Sequence, residues 1–249
     1  MTNPLEFIRS VALPEAETEL ETEAPTAEPL NLDKLPNGVV SGTTLIDFSN
    51  VPSMAVRTGV SLSMLFASRV ATKAMKPGDD EDDWLAAYTD NLSKLGFSLT
   101  QSSVVQSKFK KTGLFVHEAI IPFLTMAFGG AAIGPVILEG LKQLKEIDKN
   151  APWITLFDRE SRRFDVKELH FAAVSSNETD TSIRYAIARL KIATNQVTVL
   201  FFKLTKNEAQ FESVTRTMSA NNSLLAVVEP DLRAKLGALT KSFILEADL

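Results

Sequence analysis

Residues 119–138 constrain this chain most, because they include no charged side chain over 20 consecutive positions. A membrane-spanning helix needs about 20 apolar residues, and this stretch is long enough. Pro122, the pair Gly129–Gly130 and the pair Gly134–Pro135 nevertheless interrupt a helical hydrogen-bond pattern at three places. The sequence therefore predicts a bent or hairpin-shaped pair of short helices instead of one straight span.

Two hypotheses account for this pair of helices: permanent burial in a soluble domain, or burial followed by release at a membrane. The second hypothesis assigns membrane contact to apolar and small residues of the stretch, namely Ile120, Phe123, Phe128, Gly130, Ile133, Gly134 and Val136. Lysines flank the stretch on both sides and can reach anionic headgroups from an apolar segment; they are Lys108, Lys110, Lys111, Lys142 and Lys145. Glu139, Glu146 and Asp148 lie among the later lysines, so a solvated amphipathic helix explains those lysines equally well.

The first 38 residues carry eight acidic side chains against the two basic ones of Arg9 and Lys34. The chain has a formal net charge of −5, so removing the −6 of this segment leaves +1 for the rest. A body so nearly neutral indicates no nucleic-acid partner.

The same segment is rich in proline and poor in large apolar residues, and such sequences cannot bury enough surface to become ordered. It therefore predicts a disordered acidic tail over residues 1–38, and we expect a chain without residues 1–36 to remain folded. Four apolar residues near its start have helical spacing and are able to dock on the body: Leu5, Phe7, Ile8 and Val11.

Several kinds of chemistry are excluded by what the sequence lacks. The chain has no cysteine, which removes disulfides, thiolate nucleophiles and cysteine-ligated metals. Its two histidines, His117 and His170, are too few for a multi-histidine metal site, and we expect both to be structural or surface residues. Residues 129–134 have the glycine spacing of a phosphate-binding loop, but Pro135 and Val136 replace the required Lys and Ser/Thr. We expect neither a metal nor a cofactor and a non-catalytic protein, with catalysis by acidic residues or backbone groups left open.

The start of the chain has neither a basic region nor a sustained apolar region. It predicts cytoplasmic synthesis without a cleaved signal peptide, and any secretion would use a signal-independent route.

The first half of the body is predicted to be helical. An apolar-periodic run from Pro52 to Met75 predicts one helix, and its many small residues allow another helix to approach closely. The acidic run 79–83 lacks the ligand spacing of a calcium loop and predicts instead the negatively charged first turn of a second helix that ends at Gly96.

Beyond Pro152 the pattern changes to strands, predicted at residues 164–174, 182–192, 197–204 and 209–218. Residues 197–204 are apolar on both faces, which predicts the central strand of an antiparallel meander. The sequence thus predicts an α+β fold. Residues 39–249 form one domain, mainly helical over 39–150 and mainly antiparallel sheet over 151–249.

Two functions remain open at this point. The first is a soluble, non-catalytic protein with a concealed membrane-active segment, in the manner of a secreted effector or a pore-forming toxin, with membrane lipid as its partner. The second is a structural or interaction protein that keeps its apolar helices buried and associates with a second copy of itself.

Overall fold

The computed structural model describes residues 3–14, 30–107, 113–128, 134–144, 146–162, 166–191, 199–204 and 210–247. Its helices are α1 (Pro4–Ser10), α2 (Met54–Ala74), α3 (Glu81–Lys94), α4 (Val116–Ala127), α5 (Pro135–Gln143), α6 (Pro152–Ser161), α7 (Asn222–Leu236) and α8 (Leu239–Phe243), with a 3₁₀ turn at Leu32–Lys34. Its strands are β1 (Gly38–Ser41), β2 (Thr44–Asn50), β3 (Ser98–Ser107), β4 (Lys167–Ser176), β5 (Asp180–Lys191), β6 (Gln210–Asn221) and β7 (Ile244–Glu246).

The described strands form one mixed sheet in the order β3-β6-β5-β4-β2-β1-β7. β4, β5 and β6 are consecutive antiparallel neighbours, as the predicted meander requires. β2 joins the meander in parallel to β4, and this pairing places the early strands beside the late ones. The predicted α+β class is confirmed, with helices in the first half, strands in the second, and a sheet that is mixed rather than wholly antiparallel.

Helices cover both faces of the sheet. On the first face lie α2, α3 and α7: the ring of Trp84 from α3 meets His170 of β4 edge-on at 5.5 Å, and Ser41 of β1 donates a hydrogen bond to the Ser61 carbonyl of α2. On the second face lie α4, α5 and α6, where Phe157 of α6 packs on Phe171 of β4. His170 and Phe171 are successive strand residues and point to opposite faces, so the sheet separates two helical layers.

Small residues let α7 approach α2 closely. A Cβ added at Gly59 would lie 3.2 Å from the Cβ of Leu225 in α7, tighter than ordinary van der Waals contact. Because α2 lies between the sheet and α7, 14 of its 21 residues are buried. The close helix approach predicted from the small residues of this segment is therefore found at Gly59.

The acidic run 79–83 starts α3 as predicted. Asp80 caps the helix by accepting hydrogen bonds from the backbone N–H groups of Asp82 and Asp83, and the Asp83 carboxylate accepts in return from the N–H of Asp80. Such a reciprocal cap satisfies donors that a helix start leaves free. Gly96 follows the helix with φ of +97°, a conformation that favours glycine.

The acidic segment 1–38 differs from the predicted disordered tail at both of its described ends. Phe7 and Ile8 of α1 are buried, and the ring of Phe7 meets Phe66 of α2 edge-on at 5.7 Å. Leu32 and Leu35 are buried as well. These apolar side chains were few but sufficient to dock the two ends, whereas residues 15–29 lie outside the described part of the chain.

The predicted central strand at residues 197–204 is wrong where the structure describes it. Residues 199–204 form turns with a single bridge between Phe115 and Lys203. The apolar side chains of Val199, Leu200 and Leu204 are buried under helices instead of within the sheet. An apolar run reports burial but not backbone conformation, so it did not distinguish a strand from a buried loop.

Candidate functional site: the apolar helix pair and its cleft

The apolar stretch folds as two short helices that contact each other, α4 and α5, which together we call the apolar helix pair. At the start of α4, Glu118 accepts a hydrogen bond of 2.9 Å from the backbone N–H of Phe115. Pro122 lies inside α4 and is exposed, so its ring is on the solvent side of the helix. In the part of the chain that the structure describes, no helix is both long enough and apolar enough to cross a bilayer.

One side of α4 is apolar and faces the sheet. Ile120 and Phe123 are buried there, as is Phe128 just after the helix. The opposite side is open to solvent, and Met126 is 56 % exposed. α4 is therefore held by one side on the second face of the sheet, over β5 and β6, while its open side carries the apolar residues Pro122 and Met126.

The start of α5 is held by a carboxylate from a distant strand. Asp47 of β2 is buried, and its Oδ2 accepts hydrogen bonds from the N–H of Val136 at 2.7 Å and of Ile137 at 3.4 Å. Gly134, at the cap position, has no side chain to do this, and a Cβ added there would lie 2.0 Å from the same oxygen. Gly134 is thus required by the close approach of Asp47, and this carboxylate fixes α5 to the sheet.

Of the remaining predicted site residues, the structure describes two. Val136 is half-buried, and Lys142 is exposed on α5. Gly130, Ile133, Lys108, Lys110, Lys111 and Lys145 lie outside the described residues. The structure thus brings Ile120, Phe123, Phe128, Gly134 and Val136 onto one face of the sheet.

Residues 199–204 lie between the start of α4 and α6, and each helix holds them by a polar side chain. His117 of α4 is buried, and its Nδ1 lies 2.9 Å from the carbonyl oxygen of Leu200. Asp158 of α6 is buried and accepts a hydrogen bond from the N–H of Val199. Burial raises the pKa of Asp158 to about 6, opposed by that hydrogen bond and by Arg162. The sequence did not predict that His117 and Asp158 bind residues 199–204, because their hydrogen-bond partners are backbone groups far along the chain.

A cleft of about 460 Å³ opens where α4 ends above β3, β5 and β6. Its floor is polar: cross-strand partners share a face of a sheet, and this face presents Gln101 and Ser103 of β3, Thr215 and Thr217 of β6, and Arg184 of β5. Arg184 reaches the carbonyl oxygen of Phe128 at 3.4 Å, and no acidic residue is among those that line the cleft in the described chain. On the side of the cleft, the end of α4 therefore lies beside hydroxyl and guanidinium groups, while Phe123 and Phe128 remain buried in the apolar core.

The other cluster of ionisable residues lies on the first face of the sheet. Glu168 pairs with Arg189 at 2.8 Å and with His170 at 3.0 Å, and His170 contacts the hydroxyl of Tyr185 at 2.5 Å. Burial raises the pKa of Tyr185 well above its ordinary value. All four residues are buried beneath α3, so the cluster joins the helix to the sheet rather than facing a substrate. The described residues contain no group of acidic and histidine side chains suited to a metal ion.

No family model matches this sequence, and no curated protein matches it. Solved structures resemble it weakly, among them a delta-endotoxin and a virulence factor. A delta-endotoxin has a TM-score of 0.37 and 9 % sequence identity, covering 85 % of this chain and 90 % of that chain. The Evf virulence factor has a TM-score of 0.30 and 10 % identity, covering 91 % of this chain and 88 % of that chain. Similarity at this level assigns neither a family nor an activity, and the function is argued from the site's own residues.

Proposed function

We propose that this chain is a non-catalytic, membrane-active protein whose apolar helix pair leaves the sheet and enters a lipid bilayer. One observation carries the proposal: the end of α4 lies over the polar cleft floor. Because that floor consists of hydroxyl groups and Arg184, Met126 and Ala127 bury little apolar surface against it, whereas the buried Phe123 and Phe128 lose apolar contacts when the helix leaves, a cost that burial in the bilayer must offset. The floor groups would gain water in the same step.

A bilayer surface offers the helix pair an apolar environment, which the polar cleft does not. Met126 is already exposed beside the cleft, and α4 contains a single ionisable acid, Glu118, at its first turn. A short helix that is apolar on nearly all sides gains free energy when its side chains leave water for the membrane interface. Each half of the pair is too short to span, so we infer insertion into the interface as the first step.

A second candidate function is favoured by the tight fit of α5. Asp47 and Gly134 meet so closely that the start of α5 is specified in detail, as expected for a permanently buried element. In that case the chain is a structural or interaction protein, and membranes have no effect on it.

An engineered disulfide between β1 and α5 separates the two functions. A Cβ built on Gly38 lies 2.7 Å from Cγ1 of Val136. The two Cβ atoms are therefore roughly 4.2 Å apart at most, below the upper limit for a disulfide, because Cγ1 is one bond of about 1.5 Å from Cβ. The chain has no cysteine of its own, so the variant Gly38→Cys/Val136→Cys forms one defined bond.

The measurement is dye release from vesicles of zwitterionic and anionic phospholipid. We expect release by the wild type and the reduced variant, and no release by the oxidised variant, in which α5 is bound to the sheet. The control variant is Ser103→Cys/Thr215→Cys, which links β3 to β6. The hydroxyl oxygens of Ser103 and Thr215 are 2.5 Å apart in the wild type. This variant should still release dye when oxidised. Release by the oxidised Gly38→Cys/Val136→Cys variant would show that α5 stays in place. A wild type that is inert between pH 5 and pH 8 supports the second candidate.

A further inference from the structure

Strand β3 forms one edge of the sheet and is open to solvent. Among the described strands it pairs with β6 alone. It has 10 residues, and residues 98–104 are all exposed. The opposite edge is β7, which has only 3 residues. The sheet formed by the described strands therefore has one long edge and one short edge.

The composition of β3 lacks the usual protection of an edge strand. Soluble proteins discourage pairing at free edges with charged side chains, proline or very short strands. Ser98–Ser107 contains neither a charged residue nor a proline. The neighbouring strand β6, paired with it residue by residue, carries Glu212 and Arg216. A row of unpaired backbone N–H and C=O groups is thus accessible on a strand without charge.

Two apolar side chains lie on one face of this edge. Leu99 pairs with Met218 and Val104 with Val214, so both project to the same face as these buried β6 residues. Leu99 is nevertheless 47 % exposed and Val104 60 % exposed. A further strand beside β3 would cover both of them and extend the apolar surface of that face.

We propose that the strand that covers this edge is β3 of a second copy of the chain, paired antiparallel about a two-fold axis. Such an axis is perpendicular to the sheet and keeps Leu99 and Val104 of both copies on one face. Self-pairing places each residue of the strand near another from the same strand, where like charges would repel, and β3 has none. A charged peptide would find no complementary charge on this strand.

The length of the two edges limits the assembly to a dimer. Pairing of β3 with β7 of another copy would build an open chain of molecules, but only 3 residues of β7 are present to pair. Pairing of β3 with β3 matches 10 residues with 10 and leaves no long edge free. One strand and two apolar side chains bury less than the roughly 800 Å² per partner of a standard interface. We therefore expect a reversible dimer with a dissociation constant on the order of micromolar.

Sedimentation velocity over a concentration series tests this pairing. The variant Val104→Lys places a charge at the edge of each copy and should raise the dimer dissociation constant by at least about tenfold, since it adds like-charge repulsion and removes apolar contact. Val227→Lys is the matched control, because Val227 on α7 is 55 % exposed and gives the same change in charge away from β3. Thermal unfolding of both variants checks that each is folded.

A dimer in the wild type and in Val227→Lys, with loss of dimer in Val104→Lys, supports the pairing. A wild type that is monomeric up to several hundred micromolar overturns it, and so does equal weakening by both substitutions. A filament that grows with concentration would point to β3–β7 pairing and also overturn the closed dimer. Dye release is not part of this measurement, so its outcome is separate from that of the proposed membrane activity.

Discussion

At the scale of single residues, two buried carboxylates hold the second helical layer. Asp47 receives the first N–H groups of α5, and Asp158 receives the N–H of Val199. Both accept hydrogen bonds from backbone groups, which stabilise a buried carboxylate, and Asp158 also lies 3.4 Å from Nε of Arg162. Burial raises the pKa of Asp158 to about 6, and this makes stability depend on pH.

The sign of this dependence is set by the raised pKa of Asp158. The folded chain keeps the Asp158 proton to higher pH than the unfolded chain, in which the ordinary value is 3.8. The stabilising contribution of the protonated group is therefore complete below about pH 4 and is lost as the pH rises through 6. We expect Asp158→Asn, which cannot ionise, to be more stable than the wild type at pH 7, by up to about 3 kcal/mol, with no such gain at pH 4.

Urea unfolding of both proteins at each pH from 4 to 8 measures this difference. Subtracting one protein from the other removes the effects of all other titrating groups. If the difference in unfolding free energy is constant over this range, Asp158 is ionised in the folded state throughout and the proposed cause is wrong. Protonation removes the cost of a buried charge but weakens the hydrogen bond from the N–H of Val199, so the measurement gives the net effect of acid on this region.

At the scale of elements, the sequence predicted what is encoded locally. The limits of α3 follow from Asp80 at its start and Gly96 after its end, both of which act on neighbouring residues. The break between α4 and α5 likewise follows from prolines and glycines within the stretch. The cap of α5 was not predictable, because Asp47 is 89 residues away from Val136 and only the folded sheet brings them together.

The difference between local and long-range interactions also explains which predictions were wrong or not made. Residues 199–204 are apolar because they lie beneath α4 and α6, and burial in a loop gives the same composition as burial in a strand. The long free edge of β3 was also not apparent, since the place of a strand in a sheet depends on pairings with β6, more than 100 residues later. Of the candidate site, the helix pair was thus predictable, whereas its cleft and its holding residues were not.

Helix α1 docks on the body through apolar residues that the sequence marked as able to do so. Ile8 is fully buried and Phe7 nearly so, and Arg9 forms an ion pair of 2.8 Å with Asp231 of α7. We expect Ile8→Ala to lower the free energy of unfolding by roughly 2–5 kcal/mol, as truncation of buried isoleucines does. Removal of α1 should accordingly lower the melting temperature by more than about 5 °C.

Arg9→Ala is the matched control, because it removes only the exposed ion pair and should cost less than about 1 kcal/mol. Differential scanning calorimetry on the three proteins provides the measurement. Equal melting temperatures for Ile8→Ala and the wild type would show that α1 contributes no stability, as predicted for a disordered tail.

At the scale of the whole molecule, the two helical layers differ in how firmly they are held. On the first face, α2 is enclosed by the sheet, α3 and α7, and most of its residues are buried. On the second face, α4 rests on the sheet with its other side in solvent, and its end lies above the polar cleft. A helix with fewer buried apolar contacts opens at lower free energy than the global unfolding of the protein.

This asymmetry predicts the pattern of amide hydrogen exchange. Peptides that cover Val116–Ala127 should exchange by local opening, faster than peptides that cover Met54–Ala74, although both segments are helical. Addition of a low concentration of urea should accelerate exchange in α2, which requires global unfolding, and change that of α4 little. Mass spectrometry of exchanged and digested protein resolves the two segments. Exchange of α4 as slow and as sensitive to urea as that of α2 would place the helix pair in the cooperative core, and the chain would then act with these helices permanently buried.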